Sequence, residues 1–273
     1  MPESVRRLHS GDLDAAMRLK AAAGWNQTPA DWLRFLELEP EGCFGVEVDG
    51  TLASSAGAIR YGTRLSWIGM VLTLPDFRGR GYAARLMQAC IEFLERSAVE
   101  WIKLDATAQG RPIYARLGFE DECAIERWYR APGHVESVAL DPFELDVKLD
   151  FAAFGADRTR LLDRLAHPTA ASVAGDGFVM ARPGSEAHYF GPCVSRSPEA
   201  ACRMMKWAIG QAGDRPVCCD LLSDNGEAIR LARELGFERR RELVRMVRRS
   251  SRNSEPVEPD NSLVYAIAGF EYG

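Results

Sequence analysis

The seven cysteines include no CxxC pair, and the four histidines show no HxxxH or HxxE spacing. Zinc needs three or four nitrogen or sulfur ligands at compact spacing, so no metal site is expected. Cys218 and Cys219 are adjacent in an apolar run. Neighbours in a strand point to opposite faces, so the two cannot easily share one ion. An odd number of scattered cysteines reads as reduced, mostly buried thiols in a cytoplasmic protein rather than a disulfide framework. GxSxG and GxxxxGK[ST] are also missing, which removes the serine-hydrolase elbow and the P-loop. The longest largely apolar stretch, Trp67 to Leu74, falls far short of the roughly 20 residues of a bilayer span, so no membrane association is expected. The opening MPESVRRLHSGDLD carries charges where a signal peptide has an apolar centre. Positive charge is in deficit: 34 Lys and Arg stand against 39 Asp and Glu, a net charge of −5 that disfavours a nucleic-acid-wrapping protein.

What remains is an ordinary globular composition over 273 residues, enough for one or two domains. Val5 to Leu8 predicts a first strand. Ser10 is placed to cap a helix through Leu13, Ala16, Met17 and Ala21, ending at Gly24. Thr28-Pro29-Ala30-Asp31 opens a second helix, with cap, proline and acid in their favoured places and Trp32, Leu33 and Leu36 on the apolar face. Cys43 to Val48 and Thr51 to Ile59 flank Asp49-Gly50 as a hairpin, and Arg64 to Leu74 predicts a further strand. A glycine-rich loop follows, then a helix whose stripe is Ala83, Leu86, Met87, Cys90, Ile91 and Leu94. Trp101 to Leu104 reads as a buried strand, and Pro112 to Leu117 as a helix stopped by Gly118.

The second half repeats this order. Strands over Phe178–Ala181 and His188–Val194, a helix from Ser197-Pro198 to Ile209, a strand over Val217–Leu221 and a helix over Asn225–Leu235 lead to Gly236-Phe237. Arg127-Trp128 and Arg245-Met246 lie at equal offsets from Phe119 and Phe237. The chain therefore reads as two copies of one α/β plan, joined by a linker near residues 131–150.

A strand that runs into a glycine loop and a helix is an anion site. The first helical N–H groups lack partners, and glycines let a phosphate approach the backbone. Arg78 and Arg80 add charge, so a pyrophosphate cradle is expected. Gly79-x-Gly81-x-x-Ala84 matches the dinucleotide fingerprint, with Asp105 where a ribose-binding acid would stand. Against that reading, Pro75-Asp76-Phe77-Arg78 separates strand from glycine, and the loop follows a hairpin instead of opening a βαβ unit.

The segment also resembles the acyl-CoA loop of the GNAT superfamily of N-acetyltransferases, whose pattern Arg/Gln-x-x-Gly-x-Gly/Ala appears as Arg78-x-x-Gly81-x-Ala83. Thr107-x-x-Gly110-x-Pro112-x-Tyr114-x-x-x-Gly118-Phe119 resembles the family's later strand–helix segment. Gly24 to Thr28, Trp67 to Met70 and Ala266 to Gly269 are similar to a two-domain subgroup. The resemblance implies an α/β (α+β) fold of tandem GNAT-like domains. Each would be a mixed, mostly antiparallel twisted sheet flanked by helices, with a catalytic domain over 1–135 and a GNAT-like domain over 136–273.

The same resemblance implies site roles. Arg78, Gly79, Arg80, Gly81, Tyr82, Ala83 and Ala84 would hold the pyrophosphate of acetyl-CoA. Val71, Leu72 and Thr73 would offer backbone groups to its arm, with an N–H of Leu72 or Thr73 on the acetyl carbonyl. Thr107 would bond the arm or cap the strand end. Tyr114 would protonate the departing thiolate, or simply pack on the sheet. Trp25 and Asn26, with Trp32, would line the acceptor pocket, although Trp32 also suits the core. Ile102 stands where some relatives carry a Glu base, which leaves Asp105, Glu47, Asp141 or a water relay.

In the second copy Ser195-Arg196-Ser197-Pro198 replaces the loop and Ala232 replaces Tyr114, so a non-catalytic domain is expected. Seven arginines between Arg239 and Arg252 read as one polar strand face, with Glu255, Glu258 and Asp260 placed to neutralise it, or as a site for a phosphate-rich partner. The implied reaction is acetyl transfer from acetyl-CoA to the amine of a small molecule or peptide in a ternary complex. A homodimer, an acyl-CoA sensor without turnover and a dinucleotide oxidoreductase stay open.

Overall fold

The computed structural model describes residues 3–136, 138–166, 169–250 and 257–273. By contacts the chain forms two units. Of the described residues, the first holds those within 3–121 together with 246–250 and Tyr272; the second holds those within 122–245 with 257–271 and Gly273.

The first unit contains β1 (Ser4–Arg7), α1 (Leu13–Ala23), α2 (Pro29–Leu38), β2 (Cys43–Val48), β3 (Thr51–Tyr61), β4 (Leu65–Thr73), α3 (Tyr82–Arg96), β5 (Trp101–Ala106) and α4 (Arg111–Arg116). Ser10 does not cap α1. The His9 ring accepts from Gly11 N–H while Asp12 accepts from His9 N–H, and this reciprocal box inserts a 3-10 turn before Leu13. The expected box does open α2, where Asp31 Oδ2 accepts from Thr28 N–H at 2.7 Å. Asp49 and Gly50 both adopt positive φ (47° and 77°), the geometry of a tight hairpin between β2 and β3. The sheet runs β1-β2-β3-β4-β5, antiparallel up to β4 and parallel between β4 and β5. Leu86, Met87, Cys90, Ile91 and Leu94 are all buried, so the predicted stripe is the face α3 turns inward.

The second unit contains β6 (Glu120–Arg130, from Glu122 onward), β7 (Asp141–Pro142), α5 (Val147–Phe154), α6 (Thr159–Leu165), β8 (Thr169–Val173), β9 (Gly177–Arg182), β10 (His188–Ser195), α7 (Pro198–Gln211), β11 (Val217–Leu222), α8 (Gly226–Glu234), β12 (Glu238–Arg249, to Arg245) and β13 (Val264–Ala266). Its sheet order is β6-β11-β10-β9-β8-β7, with β13 on β10; β10 and β11 pair in parallel, and β6/β11, β9/β10, β8/β9, β7/β8 and β10/β13 pair antiparallel. Both units are thus mixed, mostly antiparallel sheets flanked by helices. The expected linker carries β7 and the start of α5, and residues 122–130 lie with the second unit.

Three arginines of β12 reach carboxylates. Arg239 reaches Glu126 at 2.8 Å and Glu242 at 3.2 Å, and Arg240 reaches Glu238 at 3.3 Å. In the first unit, Arg248 reaches Glu95 at 2.8 Å. The partners are therefore strand and helix neighbours, whereas Asp260 is spent on capping Ser262. Arg252 and Glu255 lie outside the described residues.

Candidate active site

The parallel pair β4/β5 is matched at only three positions, Leu65↔Trp101, Ser66↔Ile102 and Trp67↔Lys103. β4 continues to Thr73 and β5 to Ala106 without pairing to each other further, so the two strands part and leave a cleft edged by backbone. A register shift against β3 accompanies the parting. Ser55 faces Leu72 and Gly57 faces Gly69, so Met70 and Val71 together oppose Ala56. Met70 takes the left-handed conformation (φ 55°) although it is a fully buried methionine. A non-glycine residue there costs about 1–3 kcal/mol, which the surroundings must offset.

Carbonyl partners reveal which way the β4 amides point. Ser55 Oγ donates to Met70 C=O at 2.9 Å, and Ser54 Oγ donates to Leu72 C=O at 2.7 Å. In a planar trans peptide the next N–H points opposite to the carbonyl. The amides of Val71 and Thr73 therefore face away from β3, toward the cleft. Leu74 N–H donates back to Ala53 C=O, and by strand alternation the Leu72 amide shares that direction. Of the three strand residues anticipated, Val71 and Thr73 turn donors to the cleft and Leu72 does not.

Beyond β4 a 3-10 turn (Pro75–Phe77) leads into the glycine loop. Gly79 and Gly81 have φ of 76° and 80°, and a Cβ on either would meet nothing within 4 Å. Glycine is needed there for the backbone conformation, and the space above it is open. Gly81 precedes α3, whose first internal bond is Arg85 N–H to Gly81 C=O at 3.1 Å. The amides of Tyr82, Ala83 and Ala84 have no helical carbonyl to reach, and no side chain caps them. Arg78 and Arg80 are exposed beside them. Arg78 Nε reaches back to Thr73 C=O at 3.4 Å, and Arg80 lies over the Phe77 ring. The Tyr82 hydroxyl donates to Glu3, which leaves only its backbone for a ligand. Open glycines, an uncapped 15-residue helix and two arginines fit a pyrophosphate, and the cleft beside them fits an extended amide-bearing arm.

Tyr114 is buried on α4 and packs edge-on against Phe119 with 6.3 Å between ring centroids. A Cβ on Gly110 would come within 2.7 Å of its ring, so that glycine is what lets the ring lie where it does. No described residue hydrogen-bonds its hydroxyl. Burial pushes the phenol well above its ordinary pKa. Thr107 Oγ accepts from Gly110 N–H at 3.1 Å, the strand-end cap, and its own hydroxyl proton is left to donate. Trp25 is half-buried and Asn26 buried in the turn after α1. Trp32 is buried against Phe35, 6.1 Å between ring centroids, in the core. Among the base candidates, Glu47 is paired with Arg6 at 2.9 Å, Asp105 is half-buried on β5, and Asp141 belongs to the second unit. Ser54, Ser55 and Met70 were not singled out from the sequence. A serine pair in an apolar strand looks like filler until the register brings it against β4.

The second unit repeats the parting of strands and then closes it. β10 and β11 match only at His188↔Val217 and Tyr189↔Cys218. Beyond that, β13 pairs with β10 (Cys193↔Ala266, Val194↔Val264), and Ile267 N–H donates to Asp220 C=O of β11 at 3.0 Å. Tyr189 Oη lies 3.0 Å from Ile267 C=O, Arg182 donates to Ala268 C=O at 2.7 Å, and Asn225 Nδ2 donates to Val264 C=O at 2.9 Å. At the head of α7, Ser197 Oγ accepts from Ala200 N–H and bonds Asp176, so this helix end is capped and faces an acid. Ala232, at the position of Tyr114, is buried on α8. Among the described residues no cluster of His, Cys, Asp and Glu could hold a metal ion, and no helix is long and apolar enough to cross a membrane.

Comparison with known proteins places both halves in one family. Residues 13–119 match the model of the Acetyltransferase (GNAT) family, and residues 147–266 match that of an Acetyltransferase (GNAT) domain. The chain is 26% identical over 257 residues to Uncharacterized N-acetyltransferase YitH of Bacillus subtilis (strain 168), covering 87% of this chain and 88% of that one. It is 23% identical over 267 residues to Holothin acyltransferase of Pseudoalteromonas sp. (strain SANK 73390), covering 92% and 88%. Its fold is similar to a solved Pyrococcus horikoshii protein provisionally called an acetyltransferase (TM-score 0.85, 21% identity, 99% of this chain and 96% of that one). It is also similar to a tandem GNAT protein from the clavulanic acid biosynthesis pathway (TM-score 0.63, 13% identity, 93% and 100%). The parted β4/β5 pair, the glycine loop on α3 and the repeat of this plan in the second unit agree with both family matches: the chain belongs to the GNAT acetyltransferases and carries two GNAT domains in tandem.

Proposed function

We propose that this chain transfers acetyl from acetyl-CoA to the primary amine of a small molecule or peptide, by direct attack while both are bound to the first domain. The observation that carries this reading is the open edge of β4. It leads through a 3-10 turn and the glycine loop to an uncapped helix end, so the same stretch of backbone offers amides to a phosphate, an arm and a carbonyl. Gly79 to Ala84 with Arg78 and Arg80 hold the pyrophosphate. The Thr73 amide and the hydroxyl of Thr107 meet the arm. The Val71 amide, farther from the loop, meets the thioester carbonyl, where donors gain strength as oxyanion charge develops. Acetyl-CoA supplies the activated acetyl group. Tyr114, held neutral by burial, offers its phenolic proton to the leaving sulfur. Trp25 and Asn26 lie toward the acceptor. The second domain is a non-catalytic copy; its filled cleft and capped helix support that assignment.

A dinucleotide reading of the same glycines is disfavoured by the antiparallel neighbour of β4, since that fold binds its cofactor at a parallel sheet. The test is release of free thiol from acetyl-CoA against a panel of amines: polyamines, amino acids, aminosugars and peptide N-termini. Thiol release that requires an amine, and that the double substitution Arg80→Glu/Gly81→Glu abolishes, is the expected result. Acetyl-CoA binding without turnover across the panel would favour a sensor, and NADH binding in place of CoA would favour the oxidoreductase.

A further inference from the structure

The two serines of β3 offer more than packing. Ser54 and Ser55 are fully buried, and both spend their hydroxyls across the sheet on β4. Their acceptors are the carbonyls of Leu72 and Met70. These are the other ends of the peptide units that carry the Thr73 and Val71 amides. Ser54 Oγ also lies 2.8 Å from Thr73 Oγ1, so the end of β4 is held at its side chain too. The register shift at Met70–Val71 takes the Met70 carbonyl out of a regular ladder, whereas Leu72 stays in register opposite Ser55, and Met70 sits in a strained conformation. A buried carbonyl without a donor is costly, so the Ser55 hydroxyl fixes which way the Met70–Val71 peptide plane turns, while the Ser54 hydroxyl holds the Leu72 carbonyl toward β3. A donor on the carbonyl also polarises the N–H of the same peptide, strengthening it toward a ligand on the far side.

We infer that Ser54 and Ser55 are positioning residues that hold the Thr73 and Val71 amides in the cleft as two separate donors, Ser54 for the arm of acetyl-CoA and Ser55 for its reacting carbonyl. The division follows from order along the strand. Thr73 is nearer the glycine loop where the phosphates bind, and Val71 is nearer Trp67, where the strands join. The thioester is at the far end of the arm from the phosphates, so it lies toward Val71. The inference rests on the proposed acetyl transfer and deepens it.

The experiment compares Ser54→Ala and Ser55→Ala in the full chain, with Ser55→Cys as a same-sized variant that keeps a weak donor. Acetyl-CoA affinity is read by calorimetry, turnover by thiol release, and the two amides by selective 15N-valine and 15N-threonine labelling. Ser55→Ala should lower kcat by about tenfold, less than the 10²–10³ lost when such a donor is removed outright, with affinity nearly unchanged. Ser54→Ala should weaken acetyl-CoA and CoA binding by several-fold and change kcat little. Ser55→Cys should fall between wild type and alanine, and each alanine should shift the amide resonance of its own peptide. If Ser55→Ala folds poorly, Ser55→Cys carries the same comparison. Equal losses of kcat and affinity in both variants, or unmoved Val71 and Thr73 amides, would overturn the inference while leaving acetyl transfer intact. A wild-type chain that binds no acetyl-CoA would overturn the transfer reading itself, and this inference with it.

Discussion

Replacing Tyr114 by phenylalanine should lower kcat by about 10²–10⁴-fold, the usual contribution of one positioned proton donor, and leave acetyl-CoA affinity close to wild type. The structure makes this an unusually clean substitution. No described residue hydrogen-bonds the hydroxyl, so its removal orphans no polar group. The ring keeps its edge-on contact with Phe119 and its seat over Gly110, so the fold should be undisturbed. The pH dependence has a definite sign. Burial disfavours the phenolate and raises the pKa, so the protonated form extends to higher pH than an ordinary tyrosine allows. An alkaline fall in kcat below about pH 10, the ordinary phenol value, should therefore come from another group and should persist in the phenylalanine variant. Thiol-release kinetics from pH 6 to 10 on both proteins measure this. Wild-type kcat in the Tyr114→Phe protein would mean that water, not the phenol, protonates the leaving sulfur.

Placing a carboxylate in the filled cleft of the second domain should be the most damaging single change to stability. Ala266 is fully buried on β13, opposite Cys193 of β10. An aspartate there buries a charge with no cation opposite it. The Cys193 thiol is itself held neutral by burial. Arg182 is committed to Gly191 C=O, Ala268 C=O and Glu271, and Arg127 to Asp220 through two 2.7 Å bonds. An uncompensated buried charge costs about 3–5 kcal/mol. For a unit of this size the melting temperature should fall by roughly 10 °C. Thermal unfolding of Ala266→Asp beside Ala266→Ser separates charge from volume. A carboxylate tolerated without loss of melting temperature would show that β13 does not fill the cleft.

The legible parts of this protein are those written in local chemistry. The stripe on α3, the Thr28–Asp31 box, the Asp49-Gly50 hairpin and the glycines of the loop each declare themselves within a few residues. The repeat was legible because one strand–helix order recurs in both halves. What escaped depends on partners far apart. β13 is three residues long and takes its meaning from β10, some seventy residues earlier. The short helices α5 and α6 fall in or beside a segment whose prolines and glycine read as a linker. The direction of the β4 amides was beyond reach, because it follows from a one-residue register shift and two hydroxyls on the neighbouring strand. For the same reason the expectation for Thr73 meets a cleft-facing amide, whereas the amide of Leu72 points the other way.

On the proposed reading, one of two similar domains carries a working acyl-CoA site, and the decisive measurement is the stoichiometry of acetyl-CoA binding to the intact chain by titration calorimetry. One site per chain, lost in the Arg80→Glu/Gly81→Glu protein, is the expected result. Two sites per chain, or one site that survives that double substitution, would contradict it.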